Sequence, residues 1–393
     1  MPQGTNDPSI VAILDRRAPW LVECMSALSR RTGVRAYSAL SLLAGALSNR
    51  LERVAIADPP LDVIEFPVQR GYFSSPLKHL LWEHRRIAAW LRRDLKEPGA
   101  AWLLCCYPHY WKVAALWPGP VAYYVTDFFS HYVGRSYGDI AEAEKELCRR
   151  AALVFPNSRR VAEFLASERG CDADKIHVVP NAVRESNLLA APAVTPSALP
   201  PDCAGLPRPV AGIIGNMAAN TDWELLERVV AATPWLSWLF VGPADAPIKD
   251  PKQARARAGL LAAGGRVRFL GSRPYGELKA YARGLDVAIL PYIKREPTYS
   301  GSSTRFYEHL AACRPILSSR GFEELLHKEP LLKHLGEPEE WISALGRLRE
   351  QGFRDGLEEL RWRQSRSETW EERAQRLHLA MSWRESRLAT API

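Results

Sequence analysis

The sequence lacks several features that would place it outside the class of globular intracellular proteins. No apolar run approaches the roughly 18 residues that a membrane-spanning helix needs. The seven cysteines are an odd number and form no C-x-x-C pair, which favours free thiols in a reducing compartment over a disulfide framework. The first residues carry no basic segment ahead of an apolar one, so we expect no secretory signal. We therefore predict a cytoplasmic protein.

Nucleic-acid-binding signatures are also missing. The net charge of +8 alone would permit a nucleic acid, an anionic membrane or an anionic ligand as a partner. However, no zinc finger, RRM signature or basic zipper is present, so we expect no nucleic-acid partner. A helix predicted over residues 77–95 has an arginine-rich side and an apolar stripe. The stripe is typical of a core face, but peripheral contact with an anionic membrane stays open.

The chain of 393 residues is long enough for two domains. Strand-like and helix-like runs alternate along it, which predicts an α/β protein with parallel sheets covered by helices. We place strands at residues 10–14, 102–106, 121–126 and 176–179, among others. Residues 185–209 are rich in proline and alanine and are interpreted as a linker. The predicted parts are an N-terminal domain (1–184), the linker (185–209), a C-terminal domain (210–366) and a final helical segment (367–393).

The most informative segment runs from residue 286 to residue 319. An apolar strand, Val287–Leu290, is followed by a loop with hydroxyl side chains, by apolar residues at helical spacing and by a second apolar strand. In such a βαβ unit, the free N–H groups and the dipole of the helix N-terminus can bind an anion. Glu308 lies one turn inside the helix, near enough to contact the ligand. The P-loop pattern G-x-x-x-x-G-K-[ST] is absent, so we predict another type of nucleotide-diphosphate pocket.

The same segment resembles the donor-binding signature of retaining GT-B glycosyltransferases of family 4, in the branch of teichuronic-acid and exopolysaccharide enzymes. The residues YEHLAA, from Tyr307 to Ala312, stand where that branch reads yEylAa. Arg305 stands at a position that is usually lysine. Ser300 stands at the first glutamate of the E-x7-E pattern, which leaves open how the donor sugar is held.

Further matches to this family extend over nearly the whole chain. They are YYVTDF, which ends at Phe128, VPNAV around Asn181, IIG ending at Gly215, and FLGSRPY ending at Tyr275. The resemblance implies a GT-B fold, with two Rossmann-like domains facing across a cleft. It also implies a UDP- or GDP-sugar donor, a glycan, glycolipid or small-molecule acceptor, and retention of configuration. The sequence does not indicate the oligomeric state.

The resemblance also assigns roles in the second domain. Gly215 and Asn216 would bring backbone close to the phosphates, although the following loop lacks the arginine and lysine that many relatives use. Arg305 would neutralise the departing diphosphate, and Glu308 would accept hydrogen bonds from the ribose. Arg305 has a simpler interpretation as a surface arginine, and Glu308 as a helix-start glutamate that compensates the dipole. The expected donor-binding set is Gly215, Asn216, Ser272, Arg273, Pro274, Ser302, Ser303, Thr304, Arg305 and Glu308.

Two residues of the first domain follow apolar strands directly. His109 comes after the strand ending near residue 106, and Asp127 comes after the strand ending near residue 126. Open α/β sheets bind ligands at the carboxyl ends of their strands. His109 would contact the donor sugar, and Asp127 the acceptor or the sugar, with Arg305 completing the catalytic set. His109 could equally be a packing residue, and His131 is an alternative to it.

No cofactor and no metal are expected beyond the nucleotide sugar. Asp172 and Asp174 imitate a metal-binding D-x-D motif, but they lie in a polar turn and we interpret them as solvated. Two other functions remain open. The missing cations and Ser300 are compatible with a catalytically silent nucleotide-sugar-binding protein, and the fold is compatible with a GT-B sugar-nucleotide epimerase.

Overall fold

A computed structural model describes residues 7–43, 45–70, 72, 81–129, 137–217 and 220–390. Contacts divide the chain into two units. The first unit comprises Met1–Pro180 and Trp370–Ile393, and the second comprises Asn181–Thr369. The helical C-terminal segment therefore belongs to the first unit.

The first unit is built on a seven-stranded sheet. Its strands are β1 (Ile10–Leu14), β2 (Val34–Leu42), β3 (Glu52–Ala57), β4 (Pro60–Gln69), β5 (Trp102–Cys105), β6 (Val121–Val125) and β7 (Leu153–Pro156). They lie in the order β3-β4-β2-β1-β5-β6-β7. All neighbours are parallel except β3 and β4, which form an antiparallel hairpin at the edge.

The first unit also contains helices, and several of its strands are fully buried. The helices are α1 (Pro19–Ser29), α2 (Leu81–Arg92), α3 (Trp111–Ala115), α4 (Tyr137–Arg150), α5 (Arg159–Arg169) and α12 (Trp370–Thr390). Strands β1, β5, β6 and β7 are buried along their full length, as expected for parallel strands covered on both faces. Glu371 of α12 forms ion pairs with Arg30 and Arg31, which fixes the C-terminal helix beside α1.

The second unit has a six-stranded sheet that is parallel throughout. Its strands are β8 (Val210–Ile214), β9 (Ser237–Val241), β10 (Val267–Gly271), β11 (Val287–Leu290), β12 (Ile316–Ser318) and β13 (Lys333–His334), in the order β10-β9-β8-β11-β12-β13. The helices are α6 (Trp223–Ala232), α7 (Pro251–Ala263), α8 (Leu278–Gly284), α9 (Thr304–Ala312), α10 (Pro338–Glu350) and α11 (Glu358–Ser367). Strands β11 and β12 precede and follow α9 in the chain and pair with each other in parallel, which confirms the predicted βαβ unit.

Some predictions from sequence need correction. Residues 176–179 do not form a strand: Ile176 makes a single bridge to Val154, and the chain then leaves the sheet. The β3–β4 hairpin was not predicted. No helix among the described residues is long and apolar enough to cross a membrane.

The proline-rich segment 185–209 lies within the second unit. The Arg208 guanidinium pairs with Asp286 at 2.8 Å, and the Ser197 N–H donates to the Arg283 carbonyl at 2.9 Å. Cys203 and Leu206 join the core beneath β8 and β9. These contacts anchor the segment to the body of the second unit.

Candidate functional site

Three neighbouring strands of the second sheet end in glycines with positive φ. These glycines are Gly215 after β8 (φ +111°), Gly242 after β9 (φ +136°) and Gly271 at the end of β10 (φ +68°). A Cβ on Gly242 would lie 2.1 Å from the carbonyl oxygen of Gly215, so the two turns are in direct backbone contact. A residue with a side chain cannot adopt these positive φ angles without strain. At the carboxyl ends of these three strands, therefore, no Cβ atom of the glycines covers the backbone.

Arg305 fills the space that Gly215 leaves. A Cβ on Gly215 would lie 3.0 Å from Nε and 3.2 Å from Cγ of Arg305. The arginine is 6% exposed, and its guanidinium carbon lies 5.2 Å from the centre of the Tyr292 ring. None of the described residues accepts a hydrogen bond from its buried Nη1. Arg305 thus carries a buried positive charge against the open edge.

The N-terminus of α9 is tightly organised by hydrogen bonds. Ser303 caps the helix, because its hydroxyl accepts from the Phe306 N–H at 3.3 Å and contacts the Tyr292 hydroxyl at 2.9 Å. The Ser303 N–H donates to a carboxylate oxygen of Glu324 at 3.1 Å. Part of the anion-binding capacity predicted for this helix end is therefore met by Glu324 itself.

Two other predicted loop residues flank the cap. The Ser302 hydroxyl accepts from the Asn181 N–H at 3.0 Å, and the Asn181 side chain donates to the Ser302 carbonyl at 2.8 Å. Thr304 is the first residue of α9 and is partly exposed. The loop is therefore fixed by the first residues of the second unit.

Glu308 lies on α9, and its side chain is buried among polar groups. The Asn187 side-chain amide donates to its carboxyl group, and Tyr275 supplies a further hydrogen bond. Burial is the largest effect on this group and raises the pKa of Glu308 to about 7, against the opposing charges of Arg184 and Lys279. Near neutral pH the carboxyl group is thus divided between its protonated and ionised forms.

Arg184 and Asn187 were not predicted as site residues. Arg184 is buried and its guanidinium stacks on the Tyr275 ring at 4.7 Å, and Asn187 ends a short 3₁₀ helix, Glu185–Asn187. Both follow the VPNAV motif that ends at Val183. This proximity to a matched motif was the available signal, but Arg184 was placed at the end of the N-terminal domain and Asn187 in the linker.

In the turn after β10, the predicted donor-binding residue Arg273 is engaged by other protein groups. Arg273 is held by Asp202 at 2.9 Å and by the Tyr281 hydroxyl at 3.2 Å, and it also donates to the Leu270 carbonyl at 2.6 Å. Its neighbours Ser272 and Pro274 are exposed, as is Asn216 after β8. The Arg273 side chain therefore links the turn to Asp202 of the proline-rich segment, and its sequence neighbours Ser272 and Pro274 are exposed.

The predicted residues of the first unit lie at the carboxyl ends of β5 and β6. His109 is 4% exposed in the short helix Pro108–Tyr110, and its ring stacks on Tyr107 with centroids 4.9 Å apart. Asp127 is partly exposed, and its carboxylate accepts from the Phe128 N–H at 2.9 Å. His131 lies outside the described residues. His109 and Asp127 belong to the first unit, whereas Arg305 and Glu308 belong to the second.

The first unit also contains a cavity of about 190 Å³ that the sequence did not reveal. Its polar lining consists of Asp15, Arg17, Ser38, Tyr107 and Tyr110. Asp15 follows β1 directly and its carboxylate binds the Arg17 side chain at 3.1 Å. The same rule that selected His109 and Asp127, a polar residue after a strand, applies to Asp15.

Asp172 and Asp174 lie at a turn, as expected. Asp174 belongs to the 3₁₀ helix Ala173–Lys175, and Asp172 pairs with Lys175 at 2.9 Å. Within the described part of the chain, no group of three or more His, Cys, Asp or Glu side chains has the arrangement of a metal site.

Part of the chain is similar in sequence to known proteins. Residues 39–187 match the family model of Glycosyltransferase Family 4. A curated relative, the 2-deoxystreptamine glucosyltransferase of Streptomyces kanamyceticus, is 32% identical over 163 residues, which cover 40% of this chain. The matched segment spans 41% of the length of that relative.

Solved structures match over almost the whole length. The HepE protein of Anabaena, solved with UDP and glucose, has a TM-score of 0.64 at 13% identity and covers 96% of this chain and 100% of its own. Sucrose-phosphate synthase from Thermosynechococcus elongatus has a TM-score of 0.68 at 16% identity, with 97% and 99% covered. A glycosyltransferase from Rickettsia africae has a TM-score of 0.68 at 13% identity, with the same coverage. These likenesses show the GT-B fold.

The raised pKa of Glu308 predicts how stability depends on pH. Between about pH 4.5 and 7 the folded protein holds a proton that the unfolded chain has released. The stabilisation is present at low pH and is lost as the pH rises through about 7. Glu308→Gln keeps the shape of the protonated form, so its melting temperature relative to wild type should rise from pH 5 to pH 8.

The control for this measurement is Glu339→Gln, at an exposed ion pair with Arg228. Its difference from wild type should stay small at every pH. A pH-independent difference for Glu308→Gln would show that the Glu308 carboxyl group titrates normally.

Proposed function

We propose that the protein transfers a sugar from a nucleotide-diphosphate donor to an acceptor, because residues 39–187 match the model of Glycosyltransferase Family 4 and the chain has the GT-B fold. The observation that carries this proposal is the pairing of Arg305 and Glu308 on α9. Arg305 is a buried cation at the carboxyl edge of the sheet, and Glu308 is a buried carboxyl group with hydrogen bonds from Asn187 and Tyr275. A nucleoside diphosphate requires both kinds of group.

Glu308 would bind the ribose of the donor. An ionised carboxylate only accepts hydrogen bonds, and the two ribose hydroxyls donate them. Burial makes ionisation of Glu308 unfavourable in the free protein, and the hydroxyls would restore the lost solvation. Ribose binding should therefore shift this group toward its ionised form.

Arg305 would stabilise the departing diphosphate. Negative charge grows on the leaving oxygen as the glycosidic bond breaks, and a preorganised guanidinium lowers the energy of that state. His309 lies one turn further along α9, fully buried, and burial together with Arg305 lowers its pKa to about 3. A neutral His309 adds no competing positive charge below Arg305, so the guanidinium remains the local cation.

Two residues of the first unit are proposed to contact the sugar and the acceptor. We assign His109 to the donor sugar and Asp127 to the acceptor or the sugar, as the family resemblance implies. The acceptor is a glycan, a glycolipid or a small molecule. We further propose that the reaction retains the anomeric configuration and needs no protein-bound metal. The leaving phosphate would then take the acceptor proton, and no side chain would act as nucleophile.

UDP-glucose is the first donor to test, because HepE has been solved with UDP and glucose. The purified chain would be incubated with it and an acceptor panel that includes 2-deoxystreptamine, with and without EDTA. We expect glycosylated product in both conditions, with the donor's anomeric configuration by NMR. An inverted product, or activity that EDTA abolishes and Mn²⁺ restores, would contradict the proposed mechanism.

The same assay separates the alternative functions. A nucleotide-sugar-binding protein would bind the donor without consuming it. An epimerase would release an altered nucleotide sugar or free sugar without glycosylating any acceptor. Either result would replace the transferase proposal.

Arg305→Ala should lower kcat about 100-fold, because the charge on the leaving diphosphate loses its cation. Arg305→Lys should recover part of this loss, since it keeps the charge but not the planar geometry. The matched control is Arg295→Ala, an exposed arginine ten residues earlier in the sequence. Steady-state kinetics would measure all three. Wild-type kcat in Arg305→Ala would mean that another group neutralises the diphosphate.

A further inference from the structure

Two of the seven cysteines, Cys148 and Cys171, lie against each other in the first unit. All seven cysteines are free, and a hydrogen bond joins the thiols of these two. Cys148 is in the last turn of α4 and is 1% exposed, whereas Cys171 follows the end of α5 and is 5% exposed. The contact therefore connects the element before β7 to the element after it.

The backbone on both sides of this contact is held in place by other interactions. Arg169, the last residue of α5, pairs with Glu144 of α4 at 3.0 Å, and the two side chains are only 12% and 2% exposed. Glu144 lies one turn before Cys148 on the same face of α4. The Cys171 N–H donates to the Leu165 carbonyl at 3.0 Å, which closes the end of α5. The packing of α4 against the end of α5 therefore brings the two thiols together.

The two thiols differ in acidity. The hydrogen bond from Cys148 is the largest effect on Cys171 and lowers the pKa of its thiol against the effect of burial, and the charge of Lys175 lowers it further. The same hydrogen bond, together with burial, raises the pKa of Cys148. Burial also raises the pKa of Cys105 to about 12 and that of Cys203 to about 11. Because the thiolate is the reactive form of cysteine, Cys171 is the nucleophile of the pair.

We propose that Cys148 and Cys171 form a site of reversible oxidation by a peroxide. The Cys171 thiolate attacks one oxygen of hydrogen peroxide and becomes a sulfenic acid, and the departing hydroxide takes up the proton that Cys171 released. The Cys148 sulfur then attacks the sulfur of Cys171, and its proton leaves with the hydroxyl group as water. The two thiols lose two electrons and two protons, and the peroxide is reduced to two water molecules.

The second thiol determines where this oxidation stops. A sulfenic acid without a neighbouring thiol is oxidised further to a sulfinic acid, which thiols do not reduce. Thiols in hydrogen-bond contact need only a small approach to reach the S–S bond length of about 2 Å. Cys148 therefore diverts the oxidised Cys171 to a disulfide that a thiol reductant can reverse.

Peptide mapping of the full chain after treatment with hydrogen peroxide tests this assignment. Once the remaining free thiols are blocked, trypsin should release residues 146–149 joined by a disulfide to residues 170–175. Dithiothreitol should separate the two peptides and restore both thiols. Absence of this cross-linked peptide, at a peroxide concentration that fully oxidises free cysteine, would overturn the inference. Cross-links that join the other cysteines to the same extent would also overturn it, because the oxidation would not be selective.

Single substitutions separate the roles of the two thiols. Cys148→Ser should leave a sulfenic acid at Cys171 that dimedone traps, whereas Cys171→Ser should leave Cys148 reduced. The matched control is Cys203→Ser, a buried cysteine of the second unit, which should give the same cross-linked peptide as the wild type. A melting curve would show whether each variant is folded, and the mapping of the wild type needs no substitution. Oxidation of Cys148 in Cys171→Ser, with Cys171 unreacted in Cys148→Ser, would overturn the assignment of Cys171 as the nucleophile.

Discussion

The close approach of Gly242 to Gly215, and of Gly215 to Arg305, determines the shape of the candidate donor site. Because neither glycine has a side chain, the turns after β8 and β9 touch through backbone atoms, and the Arg305 side chain packs against Gly215. A methyl group at either position would separate these layers. This contact therefore brings the Arg305 side chain of α9 directly against the turn after β8.

Around that contact the protein buries ionisable groups that are only partly compensated. Arg305 has a buried nitrogen with no acceptor among the described residues, and Glu308 holds its proton to about pH 7. Such groups reduce stability in the free protein. They are useful if a ligand with phosphate and hydroxyl groups completes their hydrogen bonds. The arrangement is therefore better explained by ligand binding than by folding.

The sequence predicted the unit from β11 to β12 accurately, because a short apolar run, Pro291 and the Arg314-Pro315 pair each mark a boundary through local chemistry. It did not predict the groups that surround α9. Asn187 reaches Glu308 across 121 positions of the chain, and Asn181 reaches Ser302 across the same separation. Such pairs depend on tertiary packing, which periodicity and motifs do not encode. The hydrogen bonds from Ser300 to the Glu296 carboxylate are local, yet they need a loop geometry that no short pattern specifies.

The central claim is that a nucleoside diphosphate binds at the carboxyl edge of the second sheet, beside α9. Hydrogen–deuterium exchange of the full chain with and without UDP tests it directly, because amides that gain a ligand contact exchange more slowly. We expect new protection in peptides covering residues 213–217, 271–276 and 300–309, with little change around β13 and α10. Protection confined to peptides of the first unit, or no protection at saturating UDP, would contradict it.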